Sequence, residues 1–263
     1  MRMILSLCLI GMGLGGAFAF AEESAQQVYQ QGIRAFQENQ FDKARDLFWQ
    51  AYESSPDNVE VLYNLGLSEL KLEHIGRTLA AWRKAVHIDP YHSATVSGLQ
   101  FLREQGKTGS FDAGGPLSRF RSEILSRLSF DVLFALTAIF LGLTGFLLIK
   151  YWGRRRTAVL AEAPSPPFPT LGFLLAIFFV LFVGLIGLKT YDFYVTRATV
   201  VADSVALRTY PSADSNALFD LSSGYEVIVR HAQGDWAQVT YPGGMTGWVP
   251  RDTLFLTSGR NPW

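Results

Sequence analysis

Apolar and polar positions along this chain fall into three successive rhythms, and each predicts a different kind of element. Between residues 25 and 104 apolar side chains recur every three or four positions, the spacing of helices that bury one face. The pattern predicts helices over 25–38, 41–54, 59–72, 75–88 and 93–104, the fifth carrying Val96, Leu99 and Leu102 on one side. Next, Val132 to Ile149 runs 18 residues and Phe168 to Leu188 runs 21 without a charge. At about 1.5 Å per residue, each is long enough to cross a hydrocarbon core of roughly 30 Å. Two spanning helices over 130–150 and 168–188 are expected, joined by a loop over 151–167 that carries Gly153-Arg154-Arg155-Arg156. From about Ala198 the period falls to two: Val205 to Pro211, Gly224 to Val229, Gly234 to Val239 and Gly247 to Pro250 read as short strands, with Tyr241 to Thr246 as a tight turn before the last.

The charges give this arrangement an orientation. Lys150, Arg154, Arg155 and Arg156 outnumber the basic residues at the outer ends of the two spans, which places the loop in the cytoplasm. The start of the chain agrees. Arg2 precedes an apolar run, Met3 to Gly16, that closes on Ala17-Phe18-Ala19-Phe20-Ala21, the form of a secretory leader over 1–21 with cleavage after Ala21 or Ala19. An uncleaved anchor has the same consequence, since either version exports residue 22 onward. Cys8 lies inside the apolar run, too early for a lipidation site, and it is the sole cysteine. The exported portion therefore has no disulfide and no thiolate ligand.

Offsetting residues 25–92 by 34 places Gly32 on Gly66, Phe48 on Trp82, Ala51 on Ala85 and Pro56 on Pro90, with small residues at Ala44 and Thr78. Glycine in the first helix of each pair lets its neighbour approach, the aromatic fills the wedge, and proline stops the second helix. This period and these residue types resemble the tetratricopeptide repeat, in repeats 25–58 and 59–92 within a domain over 22–104 capped by helix 93–104. Ala35 and Glu69 depart from the family, which commonly has a large aromatic there, and so does Thr78, where Ala is usual. The resemblance implies a groove for a peptide or partner segment lined by Tyr29, Ile33, Phe36, Tyr63, Asn64, Leu67 and Leu70.

Residues 105–116 are rich in glycine and read as a linker, part of a connecting stretch over 105–129. Leu117, Phe120, Ile124, Leu125 and Leu128 then recur at helical spacing. An amphipathic helix lying on the membrane surface and an exposed start of the first span both account for that pattern. Gly142, Gly145, Gly172, Gly184 and Gly187 offer places for close contact between the spans. Neither span carries a charge at its centre, so no proton or ion path is expected. Lys189 to Arg197 reads as a nine-residue connector to the strands.

Residues 198–257 resemble the bacterial SH3 domain in Leu207-Arg208 with Pro211 following, in Gly234-Asp235-Trp236-Ala237-Gln238-Val239 and in Gly247-Trp248-Val249. That resemblance implies a small all-β barrel that binds protein or cell-wall peptide. Tyr210, Tyr225, Tyr241 and Trp248 are its candidate contacts, while Trp236 is expected in the core. The fold class expected for the whole chain is thus a multidomain membrane protein: a helical repeat unit, a two-helix transmembrane hairpin and an SH3-like barrel.

Composition removes several alternatives. The chain has 23 basic and 23 acidic residues, with no basic block outside the loop, so nucleic acid is not an expected partner. His74, His87, His92 and His231 are scattered, and no zinc, phosphate-cradling or serine-hydrolase motif is present. No catalytic, cofactor or metal site is expected. The order of leader, repeats, two spans and SH3 domain resembles the Bat E type proteins of the Bacteroides aerotolerance gene cluster. That likeness implies a scaffold in the inner membrane, associated with membrane proteins bearing von Willebrand factor A domains and with a MoxR-type ATPase. An envelope sensor that binds wall peptide and regulates a wall enzyme remains the alternative, and a regulator of a neighbouring channel or secretion machine a third.

Overall fold

The computed structural model describes residues 25–106, 125, 128–241 and 244–259. The expected leader with Cys8, most of the expected linker and amphipathic segment, and positions 242–243 lie outside the described residues. The chain divides into two compact units, Met1–Ala113 together with Val195–Trp263, and Gly114–Tyr194.

The first unit opens with α1 (25–37), followed by α2 (Phe41–Ser54), α3 (Val59–Lys71), α4 (Ile75–Ile88) and α5 (Ser93–Glu104). These helices begin and end within one residue of the spans that periodicity predicts. The 34-residue period is visible in the packing. Phe48 and Trp82 are both buried, as are Ala44 with Thr78 and Ala51 with Ala85. A Cβ on Gly32 would come within 2.7 Å of the Phe48 ring, and one on Gly66 would collide with the Trp82 indole. Gly98 of α5 meets Trp82 from another side, where a Cβ would stand 2.6 Å from the ring, so α5 closes over the tryptophan. Val96 nevertheless faces outward at 39% exposure, while Thr95 and Leu102 are buried. The inward face of α5 is therefore Thr95, Gly98, Leu99 and Leu102, with Thr95 in the place expected of Val96.

The repeat extends to the backbone. Asn39 and Glu73, 34 positions apart, both take left-handed φ values, 60° and 64°. Gln40 N–H donates to Ala35 O and His74 N–H to Glu69 O, each at 2.9 Å, so α1 and α3 end in the same six-residue closing motif. Asn58 caps α3, its side-chain oxygen accepting from the N–H groups of Glu60 and Val61.

The same unit contains a seven-stranded antiparallel sheet of β1 (Arg197–Val200), β2 (Ser204–Arg208), β3 (Ala217–Ser222), β4 (Glu226–Gln233), β5 (Trp236–Thr240), β6 (Thr246–Pro250) and β7 (Leu254–Ser258), in the order β3-β2-β6-β5-β4-β1-β7. Alternation selects its core. Val205, Leu207, Leu221, Val227, Val229, Ala237, Val239 and Val249 turn to one face and are buried. Trp236 and Trp248 occupy the intervening positions on β5 and β6 and are half-buried on the other face. Trp236 is thus outside the core cluster, contrary to the sequence expectation, because Ala237 and Val239 fix the inward parity of its strand.

The second unit holds α6 (Phe130–Leu160) and α7 (Thr170–Tyr194), with mean hydropathies of 2.5 and 2.9 over their most apolar windows. Only 11% and 6% of those windows are buried, and both helices are long and apolar enough to cross a membrane. Phe140 stacks between Phe178 and Phe182 at 5.5 and 5.3 Å, and Ser129 Oγ caps α6 by accepting from Val132 N–H.

Three expectations need correction here. The arginine cluster belongs to α6 and not to a loop, because Lys, Arg, Ala and Leu are strong helix formers and one glycine costs only about 1 kcal/mol. The chain leaves α6 at Glu162, φ 51°, where Ala163 N–H donates to Ala158 O. No extended nine-residue connector follows the second span, since α7 runs to Tyr194 and β1 begins at Arg197. Of the five glycines expected between the spans only Gly172 touches its neighbour, with a Cβ position 3.5 Å from Leu147; Gly142, Gly145, Gly184 and Gly187 face open space.

Candidate functional site

The residues expected to line a repeat groove are half-buried, each packed on one side against the helices. Tyr29, Ile33 and Phe36 pack on the cluster of Ala35, Ala44, Phe48, Leu65 and Ala81. Tyr63, Leu67 and Leu70 pack on Leu79, Trp82 and Leu102. The Tyr63 ring stacks on Trp82 at 6.1 Å, and the indole N–H donates to Tyr63 O at 3.1 Å. Asn64 donates its side-chain amide to Tyr29 Oη and to Glu60 O, both at 2.9 Å. Burial and the Glu60 carboxylate push the Tyr29 phenol up, against the pull of the Asn64 hydrogen bond.

On the sheet two of the four candidates meet, and no contact joins Tyr210 or Trp248 to them among the described residues. Tyr225 and Tyr241 stand 5.6 Å apart, and Phe219 lies 5.2 Å from Tyr241, forming one aromatic group at the edge of the core. Burial and the neighbouring Tyr225 push the Tyr241 phenol up. Tyr210 is 71% exposed. Trp248 meets His231 edge to face at 6.4 Å and lies opposite Gln238 and Arg208 across its strand. Trp236 lines a cleft with Asp235, Pro250, Arg251 and Asp252.

Residues 203–255 match the family described as Bacterial SH3 domain. The matched region runs from the start of β2 into β7 and contains all four aromatic candidates of the sheet. No curated protein matches the chain.

The bacterial SH3 region and the helices share one continuous body. Arg83 of α4 donates from Nη1 to Gly224 O at 2.7 Å and to Thr199 Oγ1 at 3.0 Å, and desolvation pushes its guanidinium below the ordinary value. Phe255 of β7 fits between Trp49 and Tyr52 of α2, with ring separations of 5.9 and 5.6 Å. Gly76, in the first turn of α4, abuts Ser223, Gly224 and Val200 so closely that no Cβ fits.

Above this junction opens a cavity of about 530 Å³. Leu65, Ala81, Trp49 and Phe255 line it together with Glu69, whose side chain is only 4% exposed. Glu69 is 2.7 Å from His74 Nδ1 and 3.8 Å from Arg77. Arg45 contacts Asp42 and Asp46; burial pulls its guanidinium down, but Asp46, Glu69 and Asp42 more than offset this and hold it above its usual range. Sequence reasoning missed this cavity because its walls come from α2 and β7, about 200 positions apart. One signal was available: Glu69 stands 34 positions after Ala35, a charged side chain where the offset sequence has a small apolar one.

Proposed function

We propose that this chain is a non-enzymatic adaptor, anchored in the bacterial cytoplasmic membrane by a two-helix hairpin, whose tetratricopeptide-like stack and SH3-like barrel bind a partner protein on the periplasmic face. The observation that carries the reading is that the segments before and after the two apolar helices fold into one compact unit. Segments that pack together must share one side of a bilayer, which requires an even number of crossings between them. Two helices meet that requirement, and the arginines near the end of α6 favour a cytoplasmic bend. The leader-like start of the chain supports the same orientation.

The likeness to Bat E type proteins favours, as the partner, membrane proteins bearing von Willebrand factor A domains, working with a MoxR-type ATPase. The match to the Bacterial SH3 domain also supports a second reading, an envelope sensor that binds wall peptide and regulates a wall enzyme. Labelling with a membrane-impermeant maleimide tests the topology. Ser97→Cys and Asp214→Cys should react in intact spheroplasts and Thr157→Cys only after lysis; the reverse pattern removes the periplasmic reading. Crosslinking followed by purification from detergent-solubilised membranes then separates the two functions. A stoichiometric membrane-protein partner supports the adaptor, whereas retention on peptidoglycan that Trp248→Ala abolishes supports the sensor.

A further inference from the structure

We propose that the cavity between α2, α3, α4 and β7 is the partner-binding site, and that it takes a basic side chain carried on an apolar peptide segment. The proposal rests on the adaptor reading and names the surface that reading uses.

Glu69 is the first ground for it. Its counterpart one repeat earlier is Ala35, itself buried, so the packing of these helices needs only a small apolar group at that position. A buried carboxylate is costly unless paired. Its two ion-pair partners lie toward solvent, His74 46% exposed and Arg77 52% exposed at a long 3.8 Å, while Arg45 acts on it from farther off and is shared with Asp42 and Asp46. An incoming ammonium or guanidinium can therefore replace Arg77 without leaving the carboxylate alone.

Charge and shape give the second ground. Asp46, Glu69 and Asp252 line the cavity against Arg45 and Arg77, and Arg45 is already held by Asp46 and, outside the lining, by Asp42. Asp252, an exposed lining residue, makes no salt bridge among the described residues. The excess is negative. Trp49, 40% exposed, and Phe255 present aromatic faces on which a cation and its methylene stem can rest. A volume of about 530 Å³ holds one or two side chains and not a folded domain, so the ligand is a peptide segment.

The test uses the full-length protein in lipid nanodiscs and a fluorescein-labelled Gly-Leu-Lys-Leu-Gly peptide, with norleucine or glutamate in place of lysine as controls, read by fluorescence anisotropy. The lysine peptide should bind saturably and the norleucine peptide at least about tenfold more weakly, since charge-assisted bonds in a partly dry site discriminate at that level. Glu69→Gln should weaken binding by about tenfold and the exposed Asp252→Asn by roughly threefold. Equal affinity for lysine and norleucine peptides, unchanged binding by Glu69→Gln, or no saturable binding at millimolar peptide each overturns the proposal. If Glu69→Gln unfolds in a thermal melt, Asp252→Asn and the norleucine control decide the matter. A Glu69→Gln protein that still captures its membrane partner by crosslinking while the cavity tests fail removes the cavity and leaves the adaptor.

Discussion

The Arg83 guanidinium donates to the Gly224 carbonyl at 2.7 Å, linking residues 141 positions apart that flank both long apolar helices. One bond thus ties the helical segment to the sheet segment, and a second, to Thr199 Oγ1, holds the same side chain in place. Hydrogen bonds from a charged donor contribute about 1.5–3 kcal/mol each, and the acceptors left behind would be partly dry. Arg83→Met, which keeps the stem, should lower the stability of the soluble unit by roughly 2–4 kcal/mol. A melt followed by circular dichroism in detergent measures it. A change below about 0.5 kcal/mol would mean that the junction is not held by this residue.

Gly66 leaves its neighbouring helix less room than Gly32 or Gly98 does. A methyl group there would drive into the Trp82 indole, which Gly98 and the hydrogen bond to Tyr63 O hold from other directions. The ring has no free path, so Gly66→Ala should cost about 2–3 kcal/mol, as overpacking does in a filled core. Gly32→Ala meets only the Phe48 ring at 2.7 Å, with no hydrogen bond pinning it, and should cost less. Thermal unfolding of the two variants side by side checks the order, which is more diagnostic than either value.

These two relationships differ in how far the sequence revealed them. Gly32 with Phe48 and Gly66 with Trp82 recur at a fixed offset, so period and residue type expose the contact before any coordinates exist. Arg83 with Gly224 has no such trace. A docking surface between distant segments depends on three-dimensional placement, and neither residue breaks a local rule. The strands were legible through their alternation, and the same alternation shows why Trp236 faces outward. Ala237 and Val239 set its parity, whereas the expectation of a core tryptophan came from resemblance alone. The expected end of the first span failed for a related reason: hydropathy marks where apolar character stops, not where a helix stops, and Arg154, Arg155 and Arg156 extend a helix readily. Among the groove candidates, Tyr29 and Tyr63 have the right chemistry to touch a ligand, and the contacts with Phe48 and Trp82 that position them leave both half-buried.

Glu73 offers a gain of stability. It sits at φ 64° just past the end of α3, in the left-handed region where a side chain bearing Cβ is disfavoured. Its N–H already donates to Leu70 O, and its charge makes no salt bridge among the described residues. Glu73→Gly should therefore raise stability by about 0.5–1 kcal/mol after allowing for the greater freedom of glycine in the unfolded chain. Asn39→Gly, at the equivalent place with φ 60°, should gain less because asparagine tolerates this conformation. Chemical denaturation midpoints for the pair measure both, and equal effects would argue against backbone strain as the cause.

Alkaline pH should expose the Tyr29 phenol. Burial, reinforced by the Glu60 carboxylate, raises its folded-state pKa above the ordinary tyrosine value, and the Asn64 amide opposes the shift without cancelling it. A raised folded value means that the proton is held more tightly in the native state than in the unfolded chain. The stabilisation is therefore complete below about pH 10, where both states are protonated, and declines as pH rises from there through the folded-state value. Melting temperatures recorded from pH 8 to pH 11.5 should fall more steeply for the unsubstituted protein than for Tyr29→Phe, which has no proton to lose. Tyr29→Phe also loses the bond from Asn64 and should start lower at pH 8, so the two curves converge as the medium becomes alkaline. Parallel curves would show that Tyr29 ionises as it does in the unfolded chain and that its place between Phe48 and Asn64 confers no pH dependence.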